Sequence, residues 1–193
     1  MNQSIKDIQD MIRAAGDKIA ADGIMGPQTR AAIDMLLLPP WVKIGLKEVG
    51  TKEIRGPEHD KRVIFYHSFT GGYSTDEVPW CGSFLAMCMT EAGINPPSTA
   101  ERALSWIEFG KSSDGPKVGS VAVKKRKGGG HVGMVIAEDG EYVYILGGNQ
   151  GDEVNIRKYK TSDFIDFRYP REYAIQNQKQ YAFYTKFGKT TEA

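Results

Sequence analysis

Cys81 and His131 are the two residues of this chain whose types and setting most invite chemistry. Cys81 stands in Asp76-Glu77-Val78-Pro79-Trp80-Cys81-Gly82-Ser83-Phe84-Leu85, and His131 follows fifty residues later in Gly128-Gly129-Gly130-His131-Val132-Gly133. A thiolate is a strong nucleophile, and imidazole is the side chain best suited to removing a thiol proton near neutral pH. Together they can attack a carbonyl carbon: the cysteine adds, and the histidine takes the thiol proton and later gives it to the leaving amine. A neutral third side chain can fix the ring's tautomer and direction, and Asn149 or Gln150, in Leu146-Gly147-Gly148-Asn149-Gln150, is the candidate. The backbone N–H of Cys81 would stabilise the oxyanion, a contact worth roughly 3 kcal/mol per donor. Taken alone, a free cysteine is more often a small buried hydrophobe, so the assignment rests on the elements that bring its partners to it.

Apolar or small side chains at 81, 84, 85, 88 and 92 recur at the spacing of one buried helical face, which predicts a helix with Cys81 in its first turn. Unpaired N–H groups and the dipole at such an end favour an anion, so the thiol is expected to lose its proton more readily than a free one. Residues 131 to 138 and 141 to 146 predict two strands joined at Asp139-Gly140, a two-residue hairpin signal. With Glu138 opposite Glu141, His131 faces Gly148, and Asn149 and Gln150 lie just beyond. A strict ladder puts Gln150 on the His131 face, whereas a bulge at Gly147-Gly148 puts Asn149 there. Tyr73, Asp76 and Glu77 precede the cysteine closely enough to line a site. The candidate substrate contacts are Tyr73, Glu77, Trp80 and Gln150. His59 and His67 lack glycine-rich approaches and read as surface or packing residues.

Composition narrows function by exclusion. With 193 residues the chain can hold one full-sized domain and a small one. Lys and Arg total 25 against 24 Asp and Glu, so nothing points to nucleic acid as a partner. No apolar run approaches the ~20 residues of a membrane span, and residues 1 to 7 lack the apolar core of a secretory signal. The expectation is a monomer made and kept in the cytoplasm, without stable membrane insertion. Cys81 and Cys88 would lie about 10 Å apart along one helix, beyond disulfide reach. The cysteines and the three histidines show neither Cys-x-x-Cys nor His-x-x-x-His spacing, so no metal and no cofactor is expected.

Along the chain, Ile5, Ile8, Ile12 and Ala15 mark a first helix that stops at Gly16. A Gly-rich turn then leads into Pro27, near the first turn of a second helix carrying Ile33, Leu36 and Leu37. Leu38-Pro39-Pro40 ends that helix and marks a domain boundary. Beyond it, Trp41, Ile44, Leu46 and Val49 predict a helix, 50 to 57 a loop, and 58 to 68 another helix. Leu104, Trp106, Ile107 and Phe109 predict a helix capped by Ser98 or Thr99. From Pro116 the period changes from 3.6 to 2, with Val121 and Val123 alternating. Lys124-Lys125-Arg126-Lys127 reads as a solvated loop, with attraction to an anionic wall polymer or lipid surface as its other use. Val154, Ile156 and Tyr159 suggest a further strand. A helical half followed by an antiparallel half implies an α+β fold. Residues 171 to 193 are mixed in pattern, and the last few are expected to be disordered.

Two stretches also carry resemblances. Ile8-Gln9, the Ala15-Gly16 turn and residues 22 to 33, Asp22-Gly23-Ile24-Met25-Gly26-Pro27 onward, resemble the small three-helix peptidoglycan-binding module of bacterial and phage wall hydrolases. Here that module is short for its family. Trp80-Cys81, Gly130-His131-Val132-Gly133 and Leu146-Gly147-Gly148-Asn149-Gln150, in this order, resemble papain-like wall amidases and peptidases of the CHAP and NlpC type, above all phage endolysins. The likeness spans about residues 40 to 160. It implies a helical wall-binding domain at 1–38, a papain-like catalytic domain at 39–170 with a cysteine-bearing helix on an antiparallel sheet, and an extension at 171–193. It also implies an endolysin that cuts an amide bond of the wall peptide, has peptidoglycan as its partner, and leaves the infected cell's cytoplasm through a separate pore. By motif, Cys81 carries over as nucleophile, His131 as base and Asn149 as orienting residue, the last at a position that varies in type across the family. Two other readings fit the same residues: a non-catalytic wall-binding or phage structural protein, and a cysteine hydrolase toxin acting on protein.

Overall fold

The computed structural model describes residues 2–175, and the expectation of disorder at the end of the chain falls outside them. Five α-helices come first: α1 (Gln3–Ala14), α2 (Pro27–Met35), α3 (Pro40–Lys47), α4 (Lys61–His67) and α5 (Cys81–Glu91). After a 3₁₀ turn (Ala103–Glu108) come six strands, β1 (Lys111–Ser112), β2 (Val121–Arg126), β3 (Gly129–Glu138), β4 (Tyr142–Gly147), β5 (Asn155–Lys160) and β6 (Asp166–Tyr169). They form one antiparallel sheet in the order β1-β6-β2-β3-β4-β5. The fold is α+β.

α5 is the centre of the helical layer, packed between α3 and α4 on one side and β3 and β4 on the other. Every side chain from Cys81 to Met89 is buried, so the helix is apolar all round rather than striped, as a helix covered on both sides must be. Its first turn presses on the segment before the 3₁₀ turn: a Cβ on Gly82 would lie 2.1 Å from the Ala100 carbonyl oxygen, a space only glycine leaves open.

In the N-terminal part, α1 buries Ile5, Ile8 and Ile12 as its spacing predicts, with Met11 completing the face in place of Ala15, the exposed C-cap. Asn2 caps this helix by accepting from the Ile5 N–H. The buried Gln9 amide accepts from the Gly23 N–H at 2.8 Å and donates to Asp22 and Thr29, which ties the Gly-rich turn to α1. Two helices, not three, precede Pro39 among the described residues. α2 stops at Met35, so Leu36 packs from outside the helix and Leu37 is 63% exposed. Pro40 opens α3, where a missing N–H costs nothing. The apolar cluster of Ile5, Ile8 and Ile33 continues into Trp41, Leu46 and Phe84. Asn2 and Ser4 also reach the sheet, at Glu153 (2.7 Å) and the Ile156 N–H (3.2 Å).

Two local expectations are corrected and a strand is added. Residues 103 to 108 form a 3₁₀ turn without a side-chain cap, because Thr99 Oγ1 is engaged with Ser105 Oγ at 2.7 Å. Lys124, Lys125 and Arg126 extend strand β2, leaving only Lys127-Gly128 as the turn, since backbone pairing with Gly129 to His131 outweighs the charge of the run. β6, absent from the sequence reading, returns to pair with β2, and its four residues are too few for an alternation to stand out. The sheet buries Val132, Met134 and Leu146 against the helices, and Ala122, Val135, Val143, Ile145, Phe164 and Phe167 form a smaller cluster on the other face.

Candidate active site

Cys81 is the first residue of α5, as its spacing predicts, and its helix is held in place by the aromatic wedge before it. Trp80 is fully buried, tilted against Tyr66 at 5.8 Å, and donates from Nε1 to Glu53 at 3.2 Å. Gly148 lies so close to this wedge that a Cβ there would stand 2.6 Å from the Trp80 ring and 2.7 Å from Phe84. The end of β4 is thereby seated on the N-terminus of α5. Upstream, the buried Asp76 carboxylate accepts from the Ile54 and Asp60 N–H groups at 2.9 and 2.8 Å and pairs with His59 at 2.8 Å. It pins the loop that leads to the cysteine, and its hydrogen bonds hold the carboxyl below the usual range against the opposing pull of burial.

His131 begins the buried part of β3, whose hairpin differs from the two-residue turn the sequence suggests. Glu138 pairs with Val143 rather than Glu141, and a bulge falls between Val135 and Ala137. Asp139 Oδ1 accepts from the Tyr142 N–H at 2.7 Å, and this Asx-type closure widens the turn. The β3–β4 pairing ends at Met134 and Leu146, after which Gly147 and Gly148 carry the chain into a tight turn with Asn149 at φ 54° and Gly151 at φ 71°. Asparagine tolerates the left-handed region, and that conformation turns the next residue, Gln150, back over the sheet.

The imidazole is therefore met by Gln150, not Asn149: His131 Nε2 lies 3.2 Å from Gln150 Oε1. Gln150 is almost wholly buried and its orientation is determined by its neighbours. Its Nε2 donates to the carbonyl oxygens of Ile145 (3.1 Å) and Asn155 (2.9 Å), so Oε1 must be the atom turned to the ring, where it also accepts from Tyr159 Oη at 3.0 Å. A carbonyl oxygen can only accept, which assigns the proton to His131 Nε2 and leaves Nδ1 with its lone pair. Nδ1 is buried and has no hydrogen-bond partner among the described residues.

Cys81, His131 and Asn149 line one groove of about 540 Å³, with Glu101 to Ser105, the turn that leads into the 3₁₀ element and its first residues, as one wall and Arg126 to Gly130 as the other. The Cys81 thiol is pushed up by burial, which outweighs the helix N-terminus: the backbone N–H groups of Val132 and Gly82 and the charge of Arg126 only offset it in part. The sequence expectation of a lowered thiol is corrected accordingly. His131 is pushed down to about 4, first by burial and then by Arg126, against the Gln150 bond. Both groups are thus neutral at pH 7, and no thiol–imidazole hydrogen bond joins them among the described contacts.

Residues 73–149 match the CHAP domain. The match supports a peptidase or amidase domain of the CHAP type, a class of typically cysteine- and histidine-dependent enzymes, with peptidoglycan as the implied substrate. Comparison with curated proteins and with solved structures returned no match. The CHAP segment runs from the loop before α5 to the turn after β4, and it ends one residue short of Gln150.

The remaining candidates fall outside the groove. Trp80 is a core residue, because its large apolar ring gains most by burial. Tyr73 stacks edge-on against His67 at 5.1 Å, Glu77 is exposed, and neither lines the groove; Gln150 acts beneath the imidazole, out of a ligand's reach. His67 is a packing residue, as its sequence setting suggests, and His59 is the partner of Asp76. Of the lining residues Arg102 and Arg126, the sequence marks Arg126 through the basic run and gives no signal for Arg102. The described residues include no helix long and apolar enough to cross a membrane and no cluster of His, Cys, Asp or Glu fit to hold a metal.

Proposed function

We propose that this chain hydrolyses an amide bond of the peptidoglycan peptide, with Cys81 as nucleophile, His131 as base through Nδ1, and Gln150 as the residue that orients the ring. The observation that carries this reading is the Gln150 amide. By accepting a hydrogen bond from Nε2–H it keeps the proton on that nitrogen and leaves an unprotonated Nδ1 on a residue that shares a groove with the thiol. In the first step Cys81 Sγ bonds to the carbonyl carbon as its proton passes to Nδ1, and the Cys81 N–H holds the oxyanion. Collapse breaks the C–N bond, and His131 returns the proton to the leaving amine. Water then hydrolyses the thioester, giving a carboxylic acid and restoring the thiol. Because the resting thiol and imidazole are neutral and unbonded, the proton moves only when substrate binding draws Sγ and Nδ1 together, as catalytic hydrogen bonds commonly tighten in the Michaelis complex.

In the same proposal residues 1–38 bind the wall polymer, residues 39–170 carry catalysis, and the protein is a monomeric phage-type endolysin. It would act from the cytoplasm of an infected cell after release through a separate pore. The test is digestion of purified sacculi followed by mass spectrometry of the released fragments, which also tells an N-acetylmuramoyl-L-alanine amidase from a stem-peptide endopeptidase. Cys81→Ala and Cys81→Ser should lose all measurable release, while Cys88→Ser, two turns further along the buried helix, should keep it. Equal loss in a folded Cys88→Ser protein would sink the assignment.

The missing thiol–imidazole bond favours a second reading, a wall-binding protein without turnover. Sedimentation of the wild-type chain with sacculi and no fragment release would establish it.

A further inference from the structure

The groove has an electrostatic asymmetry that the proposed chemistry does not use. Its charged lining residues are Glu101, Arg102, Arg126 and Lys127. Glu101 and Arg102 stand 3.8 Å apart on the 3₁₀ wall and offset each other. On the opposite wall, Arg126 and Lys127 have no carboxylate partner among the described residues, although Lys124 of the same run is paired with Asp163 at 2.7 Å. Arg126 is the last residue of β2, paired with Gly129, and so is fixed by the ladder at the mouth of the groove. Its field reaches both chemical groups, since it favours the Cys81 thiolate and disfavours a charged His131.

We infer that Arg126, aided by Lys127, is a specificity-determining residue that binds a free carboxylate of the substrate peptide close to the scissile amide. This inference rests on the proposed peptidoglycan hydrolysis and names the feature of the peptide that the groove selects. A guanidinium presents paired donors to a carboxylate, and an uncompensated one beside a half-enclosed groove has no competing protein anion to give up. The 3₁₀ wall, already neutralised, would pass the uncharged part of the peptide.

The experiment uses the full chain and two soluble muropeptide preparations, identical except that the isoglutamyl α-carboxylate is free in one and amidated in the other. Wild type should cleave the free form with roughly tenfold higher kcat/KM, expressed mainly in KM. Arg126→Gln should abolish that preference by losing about tenfold more on the free form than on the amidated one, whatever common loss follows from its field on Cys81 and His131, and Arg126→Lys should restore part of it. Arg126 is exposed, so folding is checked by an unchanged thermal midpoint. Binding of both preparations to wild type and Arg126→Gln is measured in parallel by calorimetry. Cleavage without discrimination by wild type, or an unchanged ratio between the two forms in Arg126→Gln, overturns the carboxylate assignment and leaves the hydrolase reading standing. Discrimination in binding without any cleavage supports the Arg126 assignment and removes the hydrolase reading. Absence of both binding and cleavage overturns the two together.

Discussion

His131 and His67 are two buried imidazoles built to the same local plan. Each has one ring nitrogen bonded to a side chain and the other without a partner: Nε2 to Gln150 in His131, Nδ1 to Ser83 in His67 at 3.1 Å. Both are pushed below the ordinary imidazole range, with burial as the largest cause. What separates them is position. His67 ends α4 and is enclosed by Ser83, Thr70 and the Tyr73 ring, whereas His131 lines the groove that holds Cys81. Burial, a depressed pKa and an unpaired nitrogen are therefore insufficient marks of a base, and access to a nucleophile decides between the two.

The widest gap between these histidines should appear in turnover. His131→Ala is expected to lower kcat on soluble muropeptides by about 10² to 10⁴, the usual worth of a general base. His67→Gln should stay within about threefold of wild type while losing about 1 to 3 kcal/mol of stability, because it removes a fully buried ring and its hydrogen bond to Ser83, which keeps only Thr70. Denaturant titration alongside kinetics separates the two effects. A His67 variant that folds normally but loses turnover as His131→Ala does would erase the distinction.

The same comparison shows what could be read from sequence. The Cys81 helix, α3 and β3 were legible because each is a sustained apolar run, although α5 and β3 are buried on both faces rather than along the single stripe or alternation that spacing suggests. The role of Gln150 was not decidable, since one residue of slip reverses every face of a strand. Here the turn widened through the Asp139 side chain, a bulge entered β3, and Asn149 took a left-handed conformation, three local events that periodicity does not report. The thiol's proton affinity was misjudged on similar grounds. The helix N-terminus is visible in sequence, but the depth of burial that opposes it depends on β3 and the Ala100-Glu101 backbone packing against the first turn of α5. Aromatic residues near the cysteine looked like binding residues because sequence gives their proximity along the chain and not whether the ring points into the core, as Trp80 does.

A smaller effect sharpens the choice between the two amides beside His131. Gln150→Ala should lower kcat by about tenfold to a hundredfold, less than loss of the base, because an orienting group affects the ring's tautomer and direction rather than supplying the proton acceptor. Asn149→Ala should change kcat by less than about threefold and act, if at all, through KM, since Asn149 lines the groove while the ring's hydrogen bond is made by Gln150. Nitrogen-15 spectra of the imidazole provide a readout that packing alone would not move: wild type should show the Nε2–H tautomer, and Gln150→Ala a mixture. The reverse order of kcat effects would return the orienting role to Asn149.

The last expected effect concerns stability against pH rather than turnover. Free imidazole titrates near 6.5, and folded His131 near 4, so between those values the unfolded chain binds a proton that the folded chain excludes. The stability associated with a neutral His131 is therefore complete above about pH 6.5 and is lost as pH falls toward 4, by on the order of a few kcal/mol. His67 acts with the same sign, its pKa also being lowered by burial. His131→Gln and His67→Gln should each lose less stability than wild type between pH 7 and pH 4.5, measured as the shift in urea midpoint. If His131 is also the base, the acid limb of kcat/KM on soluble substrate should fall well below 6.5 and move with substitutions at Arg126, whose charge adds to burial in keeping the ring neutral. Substitution at His67 should leave that limb in place. An acid limb near 6.5 in wild type, with stability flat over the same range, would mean that the His131 ring is solvated in solution, and its likeness to the enclosed His67 would end there.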